Sequence, residues 1–366
     1  MDTKIDTPHV PRHAVKKKAV GKSKNNFDFL RLFFSILVIV SHSYPLLYGN
    51  NDREPLMRLS GQMTLGSVSV DMFFIMSGYL IATSWNNTKN ARSFALKRVR
   101  RIYPGLFVVN LLCFAVLAPI VSPQHFGIFN PKSIVKFFLN TLRLHGVGQL
   151  PVFEDLPWKG VINGSLWSIP FEAWCYAGVV LLGLTALIQK RVVMLSVFIL
   201  SVLLSTFVHY RGITPNGFVL ESIFGSAEAW VRLLPYFLVG IVYSLYSKEI
   251  SFNPQYFLPA LVIIFLSCFV TAGLTVTLPT LGAYCLFGFA NQPVRYLRDC
   301  AKYGDFSYGI YLYAFPLQQT LVHFYKGWNP WTLFFAALVL ATAFGVFSWH
   351  FVESRFLPNR KVQVAS

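Results

Sequence analysis

Arg31 and His42 stand eleven residues apart inside FDFLRLFFSILVIVSHSYPLLY, an apolar run at 27–48. Eleven residues are almost a whole number of helical turns, so both side chains leave the helix on nearly one face, roughly 16 Å apart. A neutral imidazole is the least costly titratable group to place in a membrane, and it is suited to taking a proton from a hydroxyl. Pro45 can loosen the helix just past His42. The plain alternative for His42 is a hydrogen bond between helices that serves packing.

Two carboxylates fall at comparable depth in other apolar runs: Asp71 in GSVSVDMFFIMSGYL and Glu172 in NGSLWSIPFEAWCY. A carboxylate in a span costs on the order of 3 kcal/mol unless it meets a partner. Mutual satisfaction of His42, Asp71 and Glu172 is therefore expected, with a carboxylate fixing the imidazole tautomer. Asp71 can also be read as a helix cap at the interface.

On the opposite side, FALKRVRRIYP places Arg98 and Arg101 three residues apart on one helical face. Together with Arg31 they could hold a pyrophosphate and an additional phosphate, because guanidinium groups bind phosphate bidentately. Basic clusters of this kind are also routine topology signals. Ser77-Gly78 allows a close helix approach, either for packing or for a slender ligand. In GDFSYGIYLYAFPLQQ, Asp305 or Ser307 reads as a helix cap. Asn163, Trp167, Ser307 and Tyr308 are candidates for acceptor contact, oxyanion stabilisation or plain structure.

The elements that must position these residues are membrane helices. Of 366 residues, 54% are hydrophobic and only 13% charged, too apolar for a soluble protein with one core. Ten apolar segments can be marked, at about 28–48, 66–84, 102–121, 164–187, 192–210, 229–247, 255–272, 274–290, 306–325 and 331–352. The sequence therefore predicts an all-α, polytopic membrane protein of about ten transmembrane helices.

With both termini in the cytoplasm, the inner segments hold almost three times as many Lys and Arg as the outer ones. The net charge of +17 is thus explained by topology, and nucleic acid is not an expected partner. Merging the seventh and eighth segments would put Arg295, Arg298 and Lys302 on the wrong side, so ten spans are preferred over nine. Residues 1–26 read as a disordered basic cytoplasmic tail, 27–353 as the membrane domain and 354–366 as a C-terminal cytoplasmic tail.

Within 122–163, KSIVKFFLNTLRLHG sets Ile134, Phe137, Phe138, Thr141 and Leu142 at helical spacing. A short amphipathic helix lying on the outer surface is expected, in a position to cover a site. The five cysteines form no metal-ligand spacing, and no metal site is expected. No soluble catalytic domain is expected after the last span, so any reaction belongs among the helices.

These pieces resemble the acyltransferase-3 family of polytopic bacterial membrane O-acyltransferases. The motifs that carry the resemblance are Arg31 to His42, VDMFFIMSGYLI, Arg98 and Arg101 before IYP, NGSLWSIPFE, FSYGIYLYAFP and WHFVE, in that order from about Asp28 to Glu353. The resemblance implies transfer of an acyl group, often acetyl, from cytoplasmic acyl-CoA to a sugar hydroxyl of an exopolysaccharide, lipid-linked sugar or other surface glycan at the cell inner membrane.

By the same resemblance His42 is the essential histidine of the first span, and Arg98 and Arg101 receive the donor. The expected mechanism has His42 as general base helped by Glu172 or Asp71, with Asn163 among the groups stabilising the oxyanion. A covalent acyl-histidine is the competing route. The rival class is a transporter or flippase, which also uses intramembrane ionisable residues.

Overall fold

The computed structural model describes residues 25–357, apart from 89, 123–126, 128, 216–220 and 293. The N-terminal tail before Asn25 and residues 358–366 lie outside the described residues. Every described regular element is helical, and an isolated bridge between Gln149 and Val161 is the one β-type pairing among the described residues.

Among the described residues, eight helices are long and apolar enough to cross a membrane. They are α1 (Phe27–Tyr48), α2 (Leu65–Thr88), α3 (Ala91–Val121), α5 (Gly164–Leu184), α6 (Arg191–Tyr210), α7 (Ala227–Leu245), α9 (Gly273–Ala290) and α11 (Pro330–Phe356). The other two apolar segments are also helical, as α8 (Pro254–Ser267) and α10 (Ser307–Phe324). Between α3 and α5 lies the short α4 (Pro131–Leu142). The chain is an all-α, multi-pass membrane protein.

Helix α2 sits at the centre and packs most extensively against α7, while α10 pairs with α11 and α1 lies against both α2 and α10. The α2–α7 contact is close because two glycines meet at the crossing. A Cβ on Gly78 would come within 2.0 Å of the Phe237 carbonyl oxygen, and one on Gly240 within 2.2 Å of the Ile75 oxygen. Outward faces of α6 and α8 expose Leu200, Leu203, Leu258 and Phe265, which suits contact with lipid rather than water.

Helix α1 stops at His42, turns through Ser43 and Tyr44, and resumes at Pro45. The proline ring removes a donor and the backbone loosens as its position predicts. At the other end Asn26 ties α1 to α9 through backbone and side-chain bonds to Ala290 and Phe289 oxygens at 2.8 and 2.9 Å.

The expected amphipathic helix forms as α4 and packs beside α3. Phe137 stacks on Phe114, and the Tyr103 hydroxyl donates to the Leu142 carbonyl at 2.7 Å, two residues beyond Arg101 in α3. The reason is Asn110, a buried amide in an apolar helix that needs partners. It finds them in Thr141 Oγ1 at 3.1 Å and the His145 carbonyl at 2.9 Å. Phe137 and Thr141 face α3, while Val135, Phe138 and Leu142 are exposed.

Candidate active site

Helices α1, α2, α3, α5 and α10 enclose a cavity of about 150 Å³. Arg31, Arg98 and Arg101 line it together with Ser77, Glu172, Tyr176, Ser307 and Tyr308. The three arginines predicted to act together do converge, from two different helices.

Their electrostatic surroundings differ. Asp305 Oδ2 bridges Arg101 Nη2 at 2.7 Å and Arg31 Nη1 at 3.6 Å, while Arg31 also meets Asp28 at 3.2 Å and Arg101 meets Glu353 at 3.8 Å. Glu353, held by the Ser348 hydroxyl at 3.0 Å, comes from the WHFVE end of α11. Arg98 has no carboxylate ion-pair partner among the described residues. Its Nη2 lies 3.4 Å from the Ser84 hydroxyl, its Nε is buried and unbonded, and its guanidinium lies over Phe94 and Tyr176.

Asp305 is therefore a spacer between arginines and not the cap of α10. Its Oδ1 accepts from Ser307 Oγ at 2.6 Å, and Phe306 occupies the cap position. Tyr308 spends its hydroxyl on the Ile102 carbonyl at 2.9 Å and lays its ring beside Arg101.

Glu172 is half-buried at the cavity wall. One of its oxygens accepts from Ser77 Oγ at 2.9 Å and from the Tyr176 hydroxyl. Tyr176 escaped the sequence reading although it lies four residues past Glu172, a spacing that sets two side chains on one helical face. Gly78, next to Ser77, is spent on the α2–α7 crossing.

The expected cluster of His42, Asp71 and Glu172 does not form. Asp71 is fully buried and pairs with Arg232 Nη2 of α7 at 2.9 Å, and the same nitrogen donates to the Ser67 carbonyl. Trp167 lies over that guanidinium at 5.7 Å. Arg232, a cation within the apolar segment 229–247, was the available sign of this pair: an intramembrane cation and carboxylate satisfy each other at lower cost than either satisfies a neutral ring. Asn163 caps the turn that opens α5, accepting from the Ser165 amide at 3.2 Å and donating to the Leu312 carbonyl at 2.8 Å.

His42 stands outside the cavity lining. Its ring is edge-on to Phe315 with centroids 5.2 Å apart, and Nδ1 is buried without a hydrogen-bond partner among the described residues. Phe315 is one helical turn past Tyr311, which does line the cavity. The Tyr311 hydroxyl meets Ser168 Oγ at 2.9 Å and donates to the Ser165 carbonyl.

Fold and site together define a polytopic helical membrane protein with a cationic, carboxylate-bearing cavity among its helices. The acyltransferase-3 family pattern, described as an acyltransferase domain, matches residues 24–350. The chain belongs to that family and is a membrane acyltransferase. It is 29% identical over 350 residues to the O-acetyl transferase of Shigella phage Sf6, covering 91% of this chain and 96% of that protein. It is 25% identical over 375 residues to nodulation protein 10 of Rhizobium leguminosarum bv. viciae, covering 93% and 95%. No solved structure matches the chain.

Proposed function

We propose that this protein is an O-acetyltransferase of the cell inner membrane that moves an acetyl or other short acyl group from cytoplasmic acyl-CoA to a sugar hydroxyl of an exopolysaccharide, a lipid-linked sugar or another surface glycan. The observation that carries the reading is the convergence of Arg31, Arg98 and Arg101 on one cavity whose wall includes Glu172. Its similarity to a protein named O-acetyl transferase supports the group transferred.

In this reading both termini are cytoplasmic, and the nucleotide phosphates of the donor rest on the arginines. The pantetheine arm enters between α1, α2 and α10. A cavity near 150 Å³ suits the end of a slender thioester. The acceptor arrives on the His42 side. His42 takes the hydroxyl proton, the oxygen attacks the thioester carbonyl carbon, the carbon–sulfur bond breaks, and CoA leaves as the thiol once protonated. In this reading the Tyr311 and Ser168 side chains, hydrogen-bonded to each other at 2.9 Å in the cavity wall, move apart so that donor and acceptor can meet.

Mass spectrometry of surface glycans from cells with and without the protein tests this directly. Loss of an acetyl increment with the protein is expected. Release of free CoA by the purified protein that requires a glycan acceptor is the matching result in vitro, and its absence overturns the reading.

A further inference from the structure

Beyond the cavity, one face of α10 carries Tyr311, Phe315, Gln318 and Gln319, at steps of four, seven and eight residues from the first. The stripe starts at the cavity wall, passes the His42 ring at Phe315, and ends in two wholly buried amides. Gln318 Nε2 donates to the Ile39 carbonyl at 2.9 Å and to Ser43 Oγ at 2.8 Å, residues on either side of His42 in α1. Gln319 Nε2 donates to the carbonyls of Trp158 at 2.9 Å and Val161 at 3.2 Å.

These partners fix the orientation of both amides, because turning either one would set oxygen against carbonyl oxygen. Each Oε1 is then a pure acceptor, and both are buried without a donor among the described residues. His42 Nδ1 and Ser165 Oγ are unbonded in the same way. Ser165 follows Gly164, whose absent Cβ makes room for the Phe315 ring at 2.8 Å. An unmet buried acceptor carries its full desolvation penalty, and these unbonded groups, on the stripe and on His42 itself, point to a guest that brings hydroxyl donors. An acyl chain, a thioester or a phosphate brings none.

We infer that Gln318 and Gln319 form the acceptor subsite, binding hydroxyls adjacent to the one that is acylated and so orienting a polyol or sugar at His42. This rests on the acyl-CoA reading above.

The test uses the full-length protein in lipid nanodiscs with acetyl-CoA and glycerol as the surrogate acceptor, measuring acetylglycerol and acetate in the same reaction. The ratio of the two products is independent of how much protein is folded, so a merely structural role does not move it. In Gln318→Met and Gln319→Met the ratio is expected to fall at least tenfold, with KM for acetyl-CoA within twofold of the parent. Either variant suffices if the other does not fold. An unchanged ratio with a lower Tm means that the carbonyls hold only buried water and overturns the inference. A parent protein that releases no CoA overturns the acyl-CoA reading itself.

Discussion

Arg98 differs from its two neighbours in making no carboxylate ion pair among the described residues, although it lines the same cavity. Truncation of Arg31 or Arg101 would also weaken the ion-pair network through Asp305, so their loss mixes binding with stability. Arg98→Ala is the cleaner probe and is expected to raise KM for acetyl-CoA about tenfold, the equivalent of about 1.4 kcal/mol. Arg98→Lys should recover only part of it, because an ammonium cannot make the bidentate contact. Steady-state kinetics at fixed acceptor checks both. His42→Ala is expected to leave acetyl-CoA binding in place and abolish transfer, and transfer retained at more than a few per cent would refute the base assignment. Double-reciprocal plots at several acceptor concentrations separate the two routes to product: parallel lines would favour an acyl-histidine over direct transfer.

Among the elements, the α2–α7 crossing sets the position of Ser77, and through it that of Glu172. Gly78→Ala forces a Cβ against the Phe237 carbonyl, an atom of backbone that cannot swing away. The helices must separate, and a loss of about 1–3 kcal/mol is expected, read as a fall in Tm of the purified protein. Helix α4 offers a second case. Its place beside α3 depends on Asn110, and Asn110→Leu is expected to free α4, measured as faster proteolysis between residues 131 and 150.

At the scale of the whole molecule, the 122–163 connection is anchored to the far end of α10. Asp155 accepts from His323 Nδ1 at 2.8 Å and from Lys326 Nζ. Partial burial pushes its carboxyl upward, but the two hydrogen bonds and two charges outweigh it and hold the group below the usual aspartate range. A carboxylate with a depressed pKa stabilises the fold above its unfolded value, near 4, and that contribution disappears as pH falls through the folded value. Asp155→Asn should therefore lower stability at pH 7, by less than about 1 kcal/mol for so exposed a group. The difference in Tm from the parent should shrink as pH falls below the ordinary aspartate range, which thermal melts at decreasing pH would show.

How much of this was legible in the chain depends on the range of the interaction. Apolar runs of membrane length, the break at Pro45, the common face of Arg31 and His42, and the gathering of basic residues before IYP all follow from periodicities of a few residues. These settled the helical membrane class and named the arginines. The partners of buried charges are a different matter, because spacing along one helix carries no information about which helix lies opposite. Asp71 answers to Arg232 across 161 residues, Gln318 reaches Ile39 across 279, and Asp305 reaches Arg101 across 204. The packing of α2 on α7, and of α10 between α1 and α11, decided those pairs, left His42 without a carboxylate partner among the described residues, and set Gln318 against the residues that flank it.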